Sequence, residues 1–326
     1  MVRSDFNGDG RSDILWILGD SLAVTNWLAM PGAKFAGNDA NAYNWLTAMH
    51  RFDVAATGDF NGDGRTDVVW QIDSGDTYSI SRASPGGGLG LDDSGGAFSG
   101  GGWKIVGSGD FNGDGVDDIL WRAADGRVGN WLGNRGGGFT VNEASIVAIP
   151  TEWHVSGTGD FNGDGRSDIL WTSDGGLMGN WLASANGTFV NNADNSLMQG
   201  RAENILAIGD FNGDNLDDIL FRDASNEVFM MEVFQGGAFY PGWGLGYVKT
   251  IPQSWNVSAV GDYNGDGTDD LLWRNDNGAL GTWFGIKNDG YRYTVNDGDL
   301  LYNVPTTWQV ADHLLSSAHS SGFWDY

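Results

Sequence analysis

Cysteine is absent from this sequence, which excludes a disulfide framework, a thiol nucleophile and thiolate metal sites. Histidine is nearly absent too. His50, His154, His313 and His319 are the only four, and none lies in a triad pattern or a zinc signature, so catalysis has little to work with. Positive charge is short. The 17 Lys and Arg stand against 43 Asp and Glu, a formal net charge of −26 that repels phosphate backbones and argues against nucleic-acid binding. No uninterrupted apolar run approaches about 18 residues, so no membrane-inserting helix is expected. Only 6 Pro accompany 53 Gly, which points to many tight turns with positive φ.

Core material is plentiful. Of the 326 residues 40% are hydrophobic and 13% aromatic, with 16 Trp, which a disordered acidic chain would not carry. One phrase recurs six times: DFNGDGRSDILW from Asp5, DFNGDGRTDVVW from Asp59, DFNGDGVDDILW from Asp110, DFNGDGRSDILW from Asp160, DFNGDNLDDILF from Asp210 and DYNGDGTDDLLW from Asp262. A period near 50 residues means one supersecondary unit per repeat, stacked on its neighbours. The repeat from Trp103 breaks into four short runs rich in Ile, Val and Trp, separated by Gly and Asp turns, with no sustained helical periodicity. Six such units predict an all-β, six-bladed β-propeller of four-stranded antiparallel blades, one domain over 1–326, with repeats starting near 5, 52, 103, 153, 203 and 255.

The chain ends predict how the ring closes. Trp103, Trp153 and Trp255 each stand seven residues before an Asp-rich phrase, and Phe52 and Glu203 hold the same slot. Trp308 opens the same pattern once more with no phrase after it, while the first repeat, starting at Asp5, lacks an opening strand. The segment 308–313 is therefore expected to complete the first blade and remove two sheet edges. No signal-peptide pattern precedes the first repeat.

Each phrase has the form D-x-N-x-D-G-x-x-D. Hard oxygen donors at positions 1, 3, 5 and 9, plus the carbonyl of position 7, can converge on one ion, and Gly at position 6 permits the turn; this is the donor chemistry of calcium rather than of magnesium, which keeps its waters. The expected ligands of loop one are Asp5, Asn7, Asp9, Arg11 (carbonyl) and Asp13, and of loop two Asp59, Asn61, Asp63, Arg65 and Asp67. Loop three offers Asp110, Asn112, Asp114, Val116 and Asp118; loop four Asp160, Asn162, Asp164, Arg166 and Asp168. Loop five offers Asp210, Asn212, Asp214, Leu216 and Asp218, with Asn215 in the Gly slot, and loop six Asp262, Asn264, Asp266, Thr268 and Asp270. Turn formation alone would also use Asn-Gly and Asp-Gly, but three carboxylates in a nine-residue turn would then repel without compensation. About six structural Ca²⁺ ions are expected.

These phrases resemble the FG-GAP or VCBS-type repeat, the calcium-binding blade also found in the integrin α-subunit propeller, and the resemblance covers essentially the whole chain. It implies a propeller with calcium between the first and second strands of each blade. It also implies a setting among secreted binding modules, lectin-like proteins, adhesion domains and accessory domains of polysaccharide-active enzymes, so it fixes fold more than activity.

Function is sought where the copies differ. Trp27, Trp131, Trp181 and Trp283 form an Asn-Trp-Leu-like slot, with Asn26, Asn130 and Asn180 beside the first three. A Trp face beside an amide suits a sugar ring, and it equally suits packing between blades. Blades two and five have lost the slot and carry irregular segments at 85–102 and 241–247; Trp243, with Tyr240 and Tyr247, is the single-copy candidate for ligand contact. A polar ring of Asp53, Lys104, His154, Asn204, Asn256 and Gln309 is expected to line the channel. The reading is a calcium-stabilised, non-enzymatic, lectin-like module, secreted or at the cell surface, whose partner is a glycan or polysaccharide. The alternatives are a polysaccharide lyase, for which His154, Lys104, Arg122, Arg222 and Arg274 would be the charged groups, and an adhesion or scaffold propeller that binds a cell-surface protein.

Overall fold

The computed structural model describes residues 4–18, 23–32, 34–41, 43–44, 52–72, 77–97, 102–199, 205–239, 245–289, 291–296 and 303–311. Trp45, Tyr240, Trp243, Trp324, Asn204, His50, His313 and His319 lie outside them. The strands form six separate antiparallel sheets, and these are the blades of a six-bladed propeller. Blade three is representative: Trp103–Gly109, Asp118–Ala123, Arg127–Gly133 and Phe139–Val141 run from the inner to the outer edge. Helix is confined, among the described residues, to one turn at Ala193–Ser196 and 3₁₀ turns at Asp39–Asn41 and Glu143–Ser145.

Ring closure follows the expectation. Trp308–Val310 pairs with Ile14–Leu18 in the register Trp16↔Val310, Ile17↔Gln309 and Leu18↔Trp308. The corresponding pairs in blade three are Trp121↔Ile105, Arg122↔Lys104 and Ala123↔Trp103, so the last strand occupies the same place as every other first strand. From blade two to blade six, the first strands of adjacent blades touch one another and form the wall of the channel. Of the polar ring, Lys104, His154 and Gln309 are exposed there, and Asp53 and Asn256 are half-buried.

The first strands of blades two to six each contain a register shift, as between Val155 and Gly157 or Val257 and Ala259. A bulge of this kind adds one residue and reverses the alternation of faces. The strand thus begins with a polar residue toward the channel and ends with small residues against the next blade, which simple period-two reading does not foresee.

The core is divided among the junctions. Six clusters of buried side chains occur, each joining two neighbouring blades: Phe111, Leu120 and Val128 of blade three pack on Val155, Ile169 and Trp171 of blade four. Ile14, Trp16, Ala29 and Phe35 of blade one likewise pack on Tyr263, Leu272 and Leu280 of blade six. Among the described residues each of these clusters spans a junction, so a blade depends on its neighbours for its core. Truncation before Trp308 should therefore cost more than a peripheral strand. We expect the 1–307 protein to elute as aggregates on size exclusion and to lose its cooperative melt by circular dichroism; a soluble, cooperatively melting product would contradict the closure.

Candidate functional site

The Asp-rich phrases follow the first strands, so all six loops gather at one rim of the propeller. Each loop is folded by its first carboxylate. In loop one, Asp5 Oδ1 accepts the N–H groups of Gly8 (2.7 Å) and Asp9 (3.1 Å), and Oδ2 accepts that of Gly10 (2.8 Å). The same three bonds recur in the other five loops, within a few tenths of an ångström. Asn215 sits at φ 66°, beside φ 79° to 85° for the five glycines of the same position, so the left-handed turn survives the substitution in loop five.

The ninth-position aspartates are buried, Asp13 at 1% exposure and Asp67, Asp118, Asp168, Asp218 and Asp270 at 0%. Each Oδ1 accepts a backbone N–H from the end of its blade's third strand: Ala29, Ala83, Gly133, Ala183, Val233 and Gly285, at 2.8–3.0 Å. In loops one, three, four and six Oδ2 also accepts the N–H of the aromatic residue at position 2, which is itself 0–1% exposed. One carboxylate thus ties the loop to two strands. The sequence reading assigned these aspartates to metal alone and did not foresee this second task.

Burial has an electrostatic cost. Desolvation, with neighbouring carboxylates adding to it, pushes Asp13, Asp118 and Asp168 up to about 8, Asp67 to about 7 and Asp270 to about 9, against the opposing pull of the backbone N–H bonds. Asp218 also lies well above the carboxylate range.

The donor set fits a hard cation. Three carboxylates, the ninth-position one buried, and an amide oxygen belong to one turn, and two acceptors within these loops, Asp218 Oδ2 and Asn264 Oδ1, are buried without a hydrogen-bond partner. Among the described residues no three acidic side chains already stand in a closed metal cage, because the first-position carboxylates are turned onto backbone amides. The loops are open to solvent at the fifth position, where Asp9, Asp63, Asp114, Asp164, Asp214 and Asp266 are all exposed.

The loops also join the blades. The N–H of the position-8 residue donates to the carbonyl of the first Asp of the preceding loop: Thr66 to Asp5, Asp117 to Asp59, Ser167 to Asp110, Asp217 to Asp160, Asp269 to Asp210, and Ser12 to Asp262, at 2.7–2.9 Å. This hydrogen-bonded circuit is complete. Close approach is why glycine ends the first strands: a Cβ on Gly58 would lie 2.7 Å from the Asp117 side chain, and one on Gly159 2.4 Å from that of Asp217.

The Asn-Trp-Leu slot is used between blades. Asn26, Asn130 and Asn180 are buried and donate from Nδ2 to the carbonyls of Gly87, Gly187 and Gly237 in the next blade's outer turn, at 2.7–2.9 Å. Trp27, Trp131, Trp181 and Trp283 are half-buried, with ring centroids 5.1–5.5 Å from the second-strand Trp of their own blade. The amides are committed to the fold and do not stand ready for sugar hydroxyls.

The charged groups considered for lyase chemistry are dispersed. Arg122, Arg222 and Arg274 lie at three different junctions, each stacked on the next blade's Trp (Trp171, Trp273 and Trp16, 5.3–5.7 Å) and bonded to backbone carbonyls there. Arg122 and His154 line one cavity of about 350 Å³, and His154 Nε2 is 2.8 Å from Asp174 Oδ1. Of the single-copy aromatic cluster, Tyr247 is described. It is 52% exposed on the outer strand Leu245–Thr250, edge-on to Phe229 at 5.9 Å, with its hydroxyl 3.0 Å from that of Thr250.

A propeller whose blades each carry an acidic oxygen-rich loop between the first and second strands is a definite class of repeat protein. The model of the FG-GAP-like repeat matches residues 5–70, 59–121, 110–171 and 160–221, and that of the FG-GAP repeat matches 254–295. The chain belongs to the FG-GAP repeat family. No curated protein matches it. Among solved structures it is similar to a Lactobacillus plantarum protein (TM-score 0.52, 13% identity, 88% of this chain and 82% of that one). It is similar also to a candidate 6-phosphogluconolactonase from Bacteroides fragilis (TM-score 0.53, 15% identity, 91% and 82%). At such identities the likeness is one of fold.

Two expectations test the loops. Asp168→Ala strands the buried N–H groups of Ala183 and Phe161, at a cost of about 1–3 kcal/mol each. In EDTA it should lower the melting temperature far more than Asp164→Ala at the exposed fifth position, and equal effects would refute the strand-tying role. The pH dependence has a definite sign. Raised folded-state pKa values give stability that is full below about pH 4 and is lost as pH rises through about 7 to 9. The chelated protein should therefore melt at lower temperature at about pH 8 than at about pH 5, and a rise over that window would refute it.

Proposed function

We propose that this protein is a calcium-stabilised, non-enzymatic binding module whose ligand is a glycan. The observation that carries the calcium part is the set of six loops with buried carboxylates. Each holds three negative charges in one turn, and a divalent ion at each would offset a repulsion that the fold otherwise bears. Ion binding to the folded state alone stabilises it by mass action, and six sites act together. The oxygen ligands supplied by the loop leave the ion in a structural role. An extracellular or cell-surface setting accords with calcium at high concentration and with the absence of thiols. Among the described residues no helix is long and apolar enough to cross a membrane.

The glycan part is supported by Tyr247. Among the described residues it is the one aromatic side chain in the set of exposed large hydrophobics, and it stands beside the Thr250 hydroxyl on the strand that follows Tyr240 and Trp243 in sequence. An aromatic face with hydroxyl partners is how proteins commonly hold a sugar ring. The four slot tryptophans contribute through packing instead. A lyase reading has less support, since its charged groups hold blade junctions, and an adhesion or scaffold role would use the same outer face for protein.

Excess EDTA should lower the melting temperature substantially, with recovery on adding calcium; an unchanged melt would remove the calcium claim. On a glycan array, binding should vanish in Tyr247→Ala and Trp243→Ala and persist in Trp131→Phe. Retention in the first two would sink the glycan site, and release of unsaturated products from acidic polysaccharides would identify a lyase.

A further inference from the structure

Positions 7 and 8 sort the six loops into two kinds. Loops one, two and four read Arg-Ser, Arg-Thr and Arg-Ser there; loops three, five and six read Val-Asp, Leu-Asp and Thr-Asp. The two positions change together, and both change charge. The first kind has three carboxylates and a guanidinium, net −2, and the second four carboxylates, net −4.

The structure places each of these charges against the expected ligands. Arg65 and Arg166 are ion-paired with Oδ2 of Asp63 and Asp164, the fifth-position donors of their own loops, and Arg11 Nη1 is 3.6 Å from Asp9 Oδ2. Two of these guanidinium groups are tethered as well, since Arg65 Nε donates to the Ala83 carbonyl (2.9 Å) and Arg166 Nε to that of Ala183 (3.2 Å). In loops three and six the same oxygen accepts from a neutral amide, Asn112 Nδ2 to Asp114 at 3.2 Å and Asn264 Nδ2 to Asp266 at 3.0 Å, and the Arg135 guanidinium beside loop three donates to the Asp114 backbone carbonyl (2.7 Å). Position 8 is shared between neighbouring loops. Asp117, Asp217 and Asp269 bring a further carboxylate between two loops, where Oδ2 accepts the N–H of Asp59, Asp160 and Asp210 at 2.7, 2.8 and 3.0 Å.

We propose that the loops form two classes of calcium site, three tighter (loops three, five and six) and three weaker (loops one, two and four). This rests on the calcium reading above. In the weaker class an incoming divalent cation must draw the fifth-position carboxylate away from a tethered guanidinium and then sit beside that like charge. In the tighter class no ion pair of the fifth-position carboxylate stands among the described residues, so the cation need displace no guanidinium. Loop one lies in the blade that the C-terminal strand closes and loop two in the next, so this arc of the ring is among the last parts to fill as calcium rises.

The test is a calcium titration of the chelator-stripped full chain by isothermal calorimetry, with melting temperature followed at each concentration. Two phases of three ions each, separated about tenfold or more, are expected from the guanidinium beside the fifth-position ligand in one class. Arg65→Gln and Arg166→Gln should each move one ion from the weaker to the tighter phase at unchanged total stoichiometry. Arg11→Gln, whose guanidinium is less firmly held, serves if those two fail to fold. A single phase of equivalent sites, or a weaker phase unmoved by the Arg substitutions, would overturn the two classes while leaving calcium binding intact. No calcium uptake at all would overturn both.

Discussion

Every blade junction in this propeller depends on one backbone hydrogen bond, from the eighth residue of one acidic loop to the carbonyl of the first aspartate in the loop before it. Six such bonds run around the rim, and the last, Ser12 to Asp262, joins the beginning of the chain to its end. Their strength lies in number and position more than in individual energy, since a single such bond contributes about 1 kcal/mol. They fix the distance between loops and hence between blades, and the six apolar clusters fill the space that distance leaves. The glycines closing the first strands belong to the same constraint, because any side chain there would push the loops apart.

The loops that make this circuit are also the most heavily charged parts of the molecule. Of the 43 acidic residues, 18 are the repeated loop aspartates, so much of the formal charge of −26 is concentrated at one rim. A third of these carboxylates are fully or almost fully buried and hold two strands together through their oxygens. The same group is thus asked to accept backbone hydrogen bonds and to stay near like charges. A divalent ion bound there, as proposed above, would reconcile the two demands. The protein's own cations, Arg11, Arg65 and Arg166, meet them in part for three of the loops.

The ring is less regular away from the loops. Blades one, three and four fasten the next blade's outer turn with a buried asparagine; blades two, five and six carry Ile80, Met230 and Thr282 in its place. The turns that follow blades two and five are held by a different contact. Gly136 and Asn288 donate to the carbonyls of Asn61 and Asn212 within the preceding acidic loop (3.2 and 2.6 Å). Variation in the third strand is thereby compensated at the rim, and the outer face of blade five becomes free to carry Tyr247.

Much of this was legible in the residues. The period of about 50, the four runs per repeat and the orphan Trp308 gave blade number, strand number and closure, because repetition turns one weak local signal into six concordant ones. The six acidic loops were legible for the same reason. What the sequence could not show was partnership. That Asp168 holds Ala183, that Asn130 reaches Gly187 and that Arg122 lies on Trp171 depends on how one blade faces the next. The bulge in each first strand likewise arises only once the strand is paired. Spacing along a chain determined the repeating unit and its donor chemistry, since both are local. Which asparagines and arginines serve the junctions rather than a ligand was decided by packing between units 50 or more residues apart, and only the assembled ring brings those together.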